Sequence, residues 1–376
     1  MATRPDPNVD ISHFEVIFSA RTAAPFSGDN PEIAGSSSSQ GLSSFEKRQK
    51  FEKRNAERLQ RVQEICQSKE SPTYIRPVYF LSDPDRQLLQ CHVAKVGCSF
   101  WTSVFRFLHL KAKGQLGGYR SPLDIPRFEV HHAKDHPEEL YPRRVLAAEG
   151  PESKSVRNPY SRLWSVYLDK IVTLSLCTPT ISFTEFLRNV GISYNNNRHY
   201  MPVTMMCNPC IFKPDYIGFQ ETFSDDAFHI LQAVGLDHVA PKINQSVYQE
   251  HEIRSLTEYA YSIPDYWFDR QTNICQNKST EMAMNLWRVF QFNGHIRSDL
   301  PFPRDLEEYT PASVTKMILD VIQKFPISKK EAKEQKLKYM TTAYKEVPAD
   351  VIEGVQKKYK YDFLMFGYDA NVDALK

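Results

Sequence analysis

The chain contains no run of 18 or more apolar residues, so its sequence predicts no transmembrane helix. Its first residues, MATRPDPNVDISHFEVIF, also lack the basic-then-apolar layout of a secretory signal. An excess of charge of one sign is missing too. Lys and Arg number 47 against 45 Asp and Glu, a formal net charge of +2. No global field therefore draws the chain to nucleic acid or to a membrane surface, and any affinity for anions must be local. The Walker A order, a glycine, four residues and then Gly-Lys-Ser/Thr, is absent, and no clear magnesium-binding carboxylate stands out. Both absences disfavour a nucleotide kinase. Cys207 and Cys210 form one CxxC with no second pair at zinc-finger spacing, so no metal is expected.

What is present suffices for one large domain or two small ones. The 376 residues include 23 Phe and 19 Tyr, ample for a core. Seven cysteines fit a reduced protein, or three disulfides and one free thiol. Asn244-Gln-Ser and Asn277-Lys-Ser are glycosylation acceptors if the chain is secreted, at a frequency near chance. Residues 1–44 are rich in Pro, Gly and Ser without periodicity and read as disordered. Residues 45–71 turn charged and helical with sparse apolar positions, the pattern of a solvated helical stem. The globular domain is expected over 72–370.

The stretch from Leu88 to Leu110, LLQCHVAKVGCSFWTSVFRFLHL, reads as a strand, a tight loop and an amphipathic helix. Leu88, Leu89, Cys91 and Val93 fill a buried strand. Ala94 to Ser99 form the loop, and apolar residues fall at helical spacing from Phe100. Free backbone N–H groups and the positive end of the helix dipole converge on such a loop, which suits a phosphate or sulfate. Lys95 adds a full charge and Ser99 a hydroxyl at the helix start. The plainer reading is a strand-to-helix turn with a surface lysine. A second helix follows Pro159, with Tyr160, Leu163, Trp164, Tyr167, Leu168 and Ile171 on its apolar stripe. Arg157 stands at its entrance and Ser165 off the stripe, where they can fork onto a second phosphate. A capped helix with surface charges is the plainer reading there.

The loop order Lys95-Val96-Gly97-Cys98-Ser99-Phe100-Trp101 resembles the 5′-phosphosulfate-binding loop of sulfotransferases. Arg157, Pro159, Tyr160, Arg162, Leu163, Ser165 and Tyr167 are similar to the 3′-phosphate motif of Golgi carbohydrate sulfotransferases. His199-Tyr-Met-Pro through Cys207-Asn-Pro-Cys210 to Glu221-Thr resembles a segment of the HNK-1 and chondroitin/dermatan 4-O-sulfotransferase group. So does Tyr359-Lys-Tyr-Asp362-Phe363 through Phe366-Gly367-Tyr368. Three departures stand out. Ala94 replaces a family proline, Asn158 replaces an aspartate, and Ala147–Ser155 has almost no apolar content where the family has a hydrophobic strand. An irregular sheet, or a strand supplied from elsewhere, is expected there.

The resemblance implies an α/β fold, a mainly parallel sheet flanked by helices of the P-loop-like sulfotransferase type, with the donor site at the strand ends. It implies transfer of a sulfuryl group from 3′-phosphoadenosine 5′-phosphosulfate (PAPS) to a hydroxyl of a glycan, a glycosaminoglycan or a glycoprotein sugar. Lys95 would meet the leaving phosphate, and Val96, Gly97, Cys98, Ser99, Phe100 and Trp101 would form the 5′ site, with Trp101 chiefly packing. Arg157 and Ser165 would hold the 3′-phosphate. His131, His132 and His199 are the candidates for the catalytic base. Cys207 and Cys210 would form disulfides if the protein is lumenal. The family also implies a Golgi location and a membrane anchor, which this sequence does not encode. A non-catalytic glycan- or nucleotide-binding relative is the alternative, and the apolar-poor segment before Arg157 is its best support.

Overall fold

The computed structural model describes residues 43–68, 72, 80–83, 85, 88–132, 138–140, 151–176, 180–192, 197–239, 245–263, 277–304 and 306–375. The segment 1–42, expected to be disordered, lies outside the described residues, as do Cys177, Cys275 and Asn244.

Five strands form one sheet: β1 (Phe80–Ser82), β2 (Leu89–Cys91), β3 (Glu138–Leu140), β4 (Glu152–Val156) and β5 (Tyr216–Phe219). Their spatial order is β3-β1-β2-β4-β5. β2, β4 and β5 pair in parallel, and β1 runs antiparallel to both β2 and β3. Four of the five strands thus share one direction, and the α/β fold with a mainly parallel sheet stands. The helices in the first half are α1 (Ser44–Gln67), α2 (Cys98–Ala112), α3 (Arg127–His132), α4 (Pro159–Val166), α5 (Phe183–Ile192) and α6 (Val203–Met206). The second half adds α7 (Phe223–Ala233), α8 (Gln245–Ser262), α9 (Lys278–Phe292), α10 (Pro311–Lys324), α11 (Lys329–Lys345), α12 (Ala349–Lys358) and α13 (Lys360–Phe366).

Alternation along the strands sets the two faces of the sheet. Phe80, Leu89, Cys91, Val156 and Ile217 pack with Val62 and Phe366. Leu81 and Leu88 pack with Trp101, Phe105 and Ile230.

β4 is a regular strand despite its sequence, Glu-Ser-Lys-Ser-Val, and this corrects the expectation of an irregular sheet. Ser153, Lys154 and Ser155 are 0, 0 and 2% exposed. Their burial is tolerated because each polar side chain has a partner. Ser153 Oγ donates to Gln90 Oε1, and Gln90 lies opposite it on β2. Ser155 Oγ accepts from Trp101 Nε1 at 2.8 Å, and Lys154 Nζ donates to the Phe212 carbonyl.

Helix α1 differs from the solvated stem that its charges suggest. It buries Phe51, Asn55 and Val62 and belongs to one compact unit spanning residues 44–376. The reason is the open edge of β5, whose backbone groups need partners. The Asn55 amide donates to the Asp215 carbonyl at 2.8 Å and accepts from the Ile217 N–H at 3.0 Å. Arg58 donates to the Ile217 carbonyl and to Asp226, which in turn accepts from the Phe219 N–H. Disulfide Cys66–Cys210 fastens the end of α1, and Cys91–Cys207 fastens β2. The two cysteines of the CxxC are therefore both consumed in disulfides.

Candidate active site

Because β2 and β4 are parallel neighbours, the turns that leave them open at the same edge of the sheet. The first turn runs through Ala94–Gly97 into α2, the second through Arg157 and Asn158 into α4. Arg157 joins them. Its Nε donates to Ser161 Oγ at 2.8 Å and its Nη1 to the Lys95 carbonyl at 3.3 Å. Two motifs 62 residues apart in sequence therefore meet.

The first turn uses two left-handed residues, Lys95 at φ 70° and Gly97 at φ 85°. A Cβ at position 97 would stand 2.3 Å from the Phe223 ring, so only glycine fits. Helix α2 begins at Cys98, two residues earlier than periodicity predicts, with Gly97 as its N-cap and no side-chain cap. Ser99 does not cap it. Its Oγ lies 3.0 Å from Nε2 of His131 instead. The first-turn N–H groups thus keep their capacity for an anion.

Lys95 Nζ donates to Asp169 Oδ2 at 2.8 Å, and Lys170 approaches the same oxygen at 3.2 Å. Burial pulls the Lys95 ammonium below the ordinary lysine range, while Asp169 opposes the shift. Burial also works against ionisation of Asp169, but the charges of Lys95, Lys170 and Arg127 outweigh it and hold the carboxyl far below its usual range. Asp169 sits in a π-helical turn, Tyr167–Val172, that extends α4. Ser161, Ser165 and Asp169, spaced by four, all line one cleft with Lys95 and Arg157. The cleft measures ≈ 680 Å³.

The other expected site residues divide. Val96, Phe100 and Trp101 are buried, and Trp101 packs at 1% exposure beneath the loop. Cys98 is partly exposed and is the one free cysteine among the described residues. None of the three histidines lines the cleft. His132 Nε2 stands 3.4 Å from the Tyr259 hydroxyl. Burial, with the charge of Arg127, pulls His131 down to about 3. Burial and Lys170 do the same to His199, whose Nδ1 is buried without a hydrogen-bond partner.

Asn158 performs the local task an aspartate would. Its Oδ1 caps α4 by accepting from the N–H groups of Tyr160 and Ser161 at 2.9 and 3.2 Å. Glu221 accepts from the Asn158 N–H at 3.0 Å and the Tyr368 hydroxyl at 2.9 Å, tying the third and fourth motif segments to the second. Arg162, 1% exposed, does not face the cleft. It donates to the carbonyls of Ala94, Met201 and Arg198 and so braces the first turn.

Asp169, Lys170, Tyr259 and Lys336 were not anticipated by sequence. Asp169 had a signal, the polar stripe Ser161–Ser165–Asp169 at four-residue spacing. Lys336, on α11, had none. Among the described residues no group of three or more His, Cys, Asp or Glu side chains could hold a metal ion, and no helix is long and apolar enough to cross a membrane.

A mainly parallel α/β sheet with a lysine-bearing loop and an arginine-bearing helix entrance at its strand ends places the chain among P-loop-like α/β proteins. The chain belongs to the sulfotransferase family, whose model matches residues 78–286. It is 26% identical over 221 residues to carbohydrate sulfotransferase 14 of Danio rerio, covering 50% of this chain and 56% of that one. It is 25% identical over 224 residues to carbohydrate sulfotransferase 11 of Danio rerio, covering 47% and 61%. Carbohydrate sulfotransferase 10 of Homo sapiens is 25% identical over 231 residues, covering 49% and 62%. The chain thus spans between 56 and 62% of the length of these relatives. No solved structure matches.

Proposed function

We propose that this protein transfers the sulfuryl group of PAPS to a hydroxyl of a glycan. The observation that carries the reading is the meeting of the two motifs through Arg157 and the Lys95 carbonyl, at the uncapped start of α2. The residues fit the donor. Arg157 Nη2 and the Ser165 hydroxyl bond to no described residue, and both side chains line the cleft. Bound there, PAPS would supply an activated sulfuryl group. Arg157 and Ser165 would hold its 3′-phosphate. The N–H groups from Val96 to Ser99, with the Ser99 hydroxyl, would hold the 5′ side.

Lys95 would stabilise the charge that develops on the leaving oxygen, as fixed cations do in phosphoryl transfer. Its ion pair with Asp169 holds it beside the cleft until then. His199 is our assignment for the base that takes the acceptor proton. Its Nδ1 bonds to no described residue, and Lys170, Asp169 and Lys95 set its charge environment. Burial lowers its basicity and it lies off the cleft lining, so that burial must be relieved when the acceptor binds for it to take the proton. His131 is already engaged by Ser99, and His132 by Tyr259. The glycan acceptor follows from the carbohydrate sulfotransferases that the chain resembles. A lumenal, Golgi location accords with the two disulfides, which need an oxidising compartment. The regular β4 strand removes the main support for a non-catalytic relative.

The test is transfer of radiolabelled sulfate from PAPS to a panel of glycosaminoglycans and glycoprotein glycans. Label should enter one of them with the wild type and be lost in Lys95→Ala. PAPS binding with no labelled glycan would favour the non-catalytic relative, and no PAPS binding would refute the donor reading.

A further inference from the structure

Besides Lys95 and Arg157, the cleft is lined by three cations that neither motif supplies: Arg127, Lys333 and Lys336. Lys336 projects from α11, 50 residues beyond the end of the matched family region, and lines the same cleft as Arg157 and Ser165. No hydrogen bond or ion pair among the described residues holds its ammonium. Its electrostatic neighbours include Arg157, Glu252 and His295, and Glu252 also acts on Arg157. No ion pair joins Glu252 to Lys336; the Glu252 Oε2 stands 3.6 Å from Nε2 of His295. Two cations, Arg157 and Lys336, thus line one partly buried cleft. Burial first, and the Arg157 charge second, lower the Lys336 ammonium to about 8. A like-charged pair of this kind, with spare donors and no carboxylate in contact with Lys336, is a site for a dianion.

We propose that Lys336 is a further donor-binding residue, which contacts the same phosphate group as Arg157 and Ser165. This rests on the donor reading above, in which that group is the 3′-phosphate of PAPS. Arg157 supplies a planar fork, fixed by Ser161 and the Lys95 carbonyl. Lys336 supplies a point charge from a separate element, so the phosphate would bridge α4 and α11.

The experiment is calorimetric titration of the full chain with adenosine 3′,5′-bisphosphate and with adenosine 5′-phosphate, which lacks the 3′ group. Wild type, Lys336→Ala and Lys336→Arg are compared, with circular dichroism melting as the folding control. Lys336→Ala should weaken the bisphosphate at least about tenfold, as loss of one charge-assisted contact does, and leave the monophosphate unchanged. Lys336→Arg should recover most of the loss. Unchanged bisphosphate affinity beside normal wild-type binding overturns this assignment alone. Equal weakening of both ligands overturns it too, because the charge then acts as a general field. A raised KM for the glycan with bisphosphate affinity intact also overturns it and moves Lys336 to the acceptor. A wild type that binds neither ligand overturns the donor reading and this assignment together.

Discussion

Substituting Gly97→Ala tests whether the loop has the shape described. Two costs add. Position 97 has φ 85°, where a Cβ costs about 1–2 kcal/mol. The new Cβ would also stand 2.3 Å from Cε2 and 2.7 Å from Cζ of Phe223. That ring cannot swing freely, since it packs edge-on against Phe100 at 5.2 Å between centroids. Relieving the overlap costs about 1–3 kcal/mol, as overpacking does. The sum is about 2–5 kcal/mol, a large part of a typical domain's stability. Thermal melting should drop by about 3–7 °C. Adenosine 3′,5′-bisphosphate should bind more weakly, because the displaced loop carries Lys95. The second variant, Phe223→Leu, separates the two costs. In that background Gly97→Ala should keep only the backbone cost, so the double variant is less destabilised than the sum of the singles by the overlap cost, about 1–3 kcal/mol. Strict additivity, or a single-variant cost under about 0.5 kcal/mol, would refute the reasoning.

Two further predictions concern the same site. His131 and His199 are each pulled from 6.5 down to about 3 in the fold, chiefly by burial, so between those values the unfolded chain binds more protons. Stability should rise with pH across that window and be lost as pH falls from 6.5 towards 3, and the slope in a pH series of melts should be shallower in His131→Asn and His199→Gln. Asn158→Asp should leave stability and bisphosphate affinity unchanged, because either side chain caps α4. Asn158→Ala should cost about 1 kcal/mol in denaturant unfolding.

The loop and the arginine helix were legible because their chemistry is local. Lys95, Gly97 and Arg157 lie within a few residues of the elements that place them, and a strand followed by an amphipathic helix announces the turn between. The start of α2 was misplaced because Gly97, not Ser99, provides the helix entry, and the reason is a contact with Phe223 that no local pattern carries. The packing of α1 was hidden for a similar reason. Its apolar stripe is thin, and Asn55 and Arg58 attach it to the edge of β5 by polar bonds. Asp169 was legible in principle as one member of a polar stripe. Lys336 was not, because only the tertiary fold brings α11 to the cleft.

β4 shows the same limit most clearly, and its partner strand offers a test. Hydrophobic patterning finds strands that are buried by apolar side chains, whereas Ser153, Lys154 and Ser155 are buried by being matched. The one signal lay on the neighbouring strand, where Gln90 interrupts an otherwise apolar Leu-Leu-Gln-Cys. Its amide serves Ser153 on one side and approaches Ser155 Oγ at 3.4 Å on the other. Gln90→Leu should therefore be more damaging than its loss of polarity suggests. It leaves the buried Ser153 hydroxyl without its acceptor, a cost of about 1–3 kcal/mol. Ser155 keeps Trp101 as a donor, so it loses less. If matching is what permits the burial, Gln90→Leu with Ser153→Ala should be more stable than Gln90→Leu alone, since the orphaned hydroxyl is then gone. Denaturant unfolding of the two variants decides it. A double variant no more stable than the single would mean that Gln90 supports the sheet by shape rather than by hydrogen bonding.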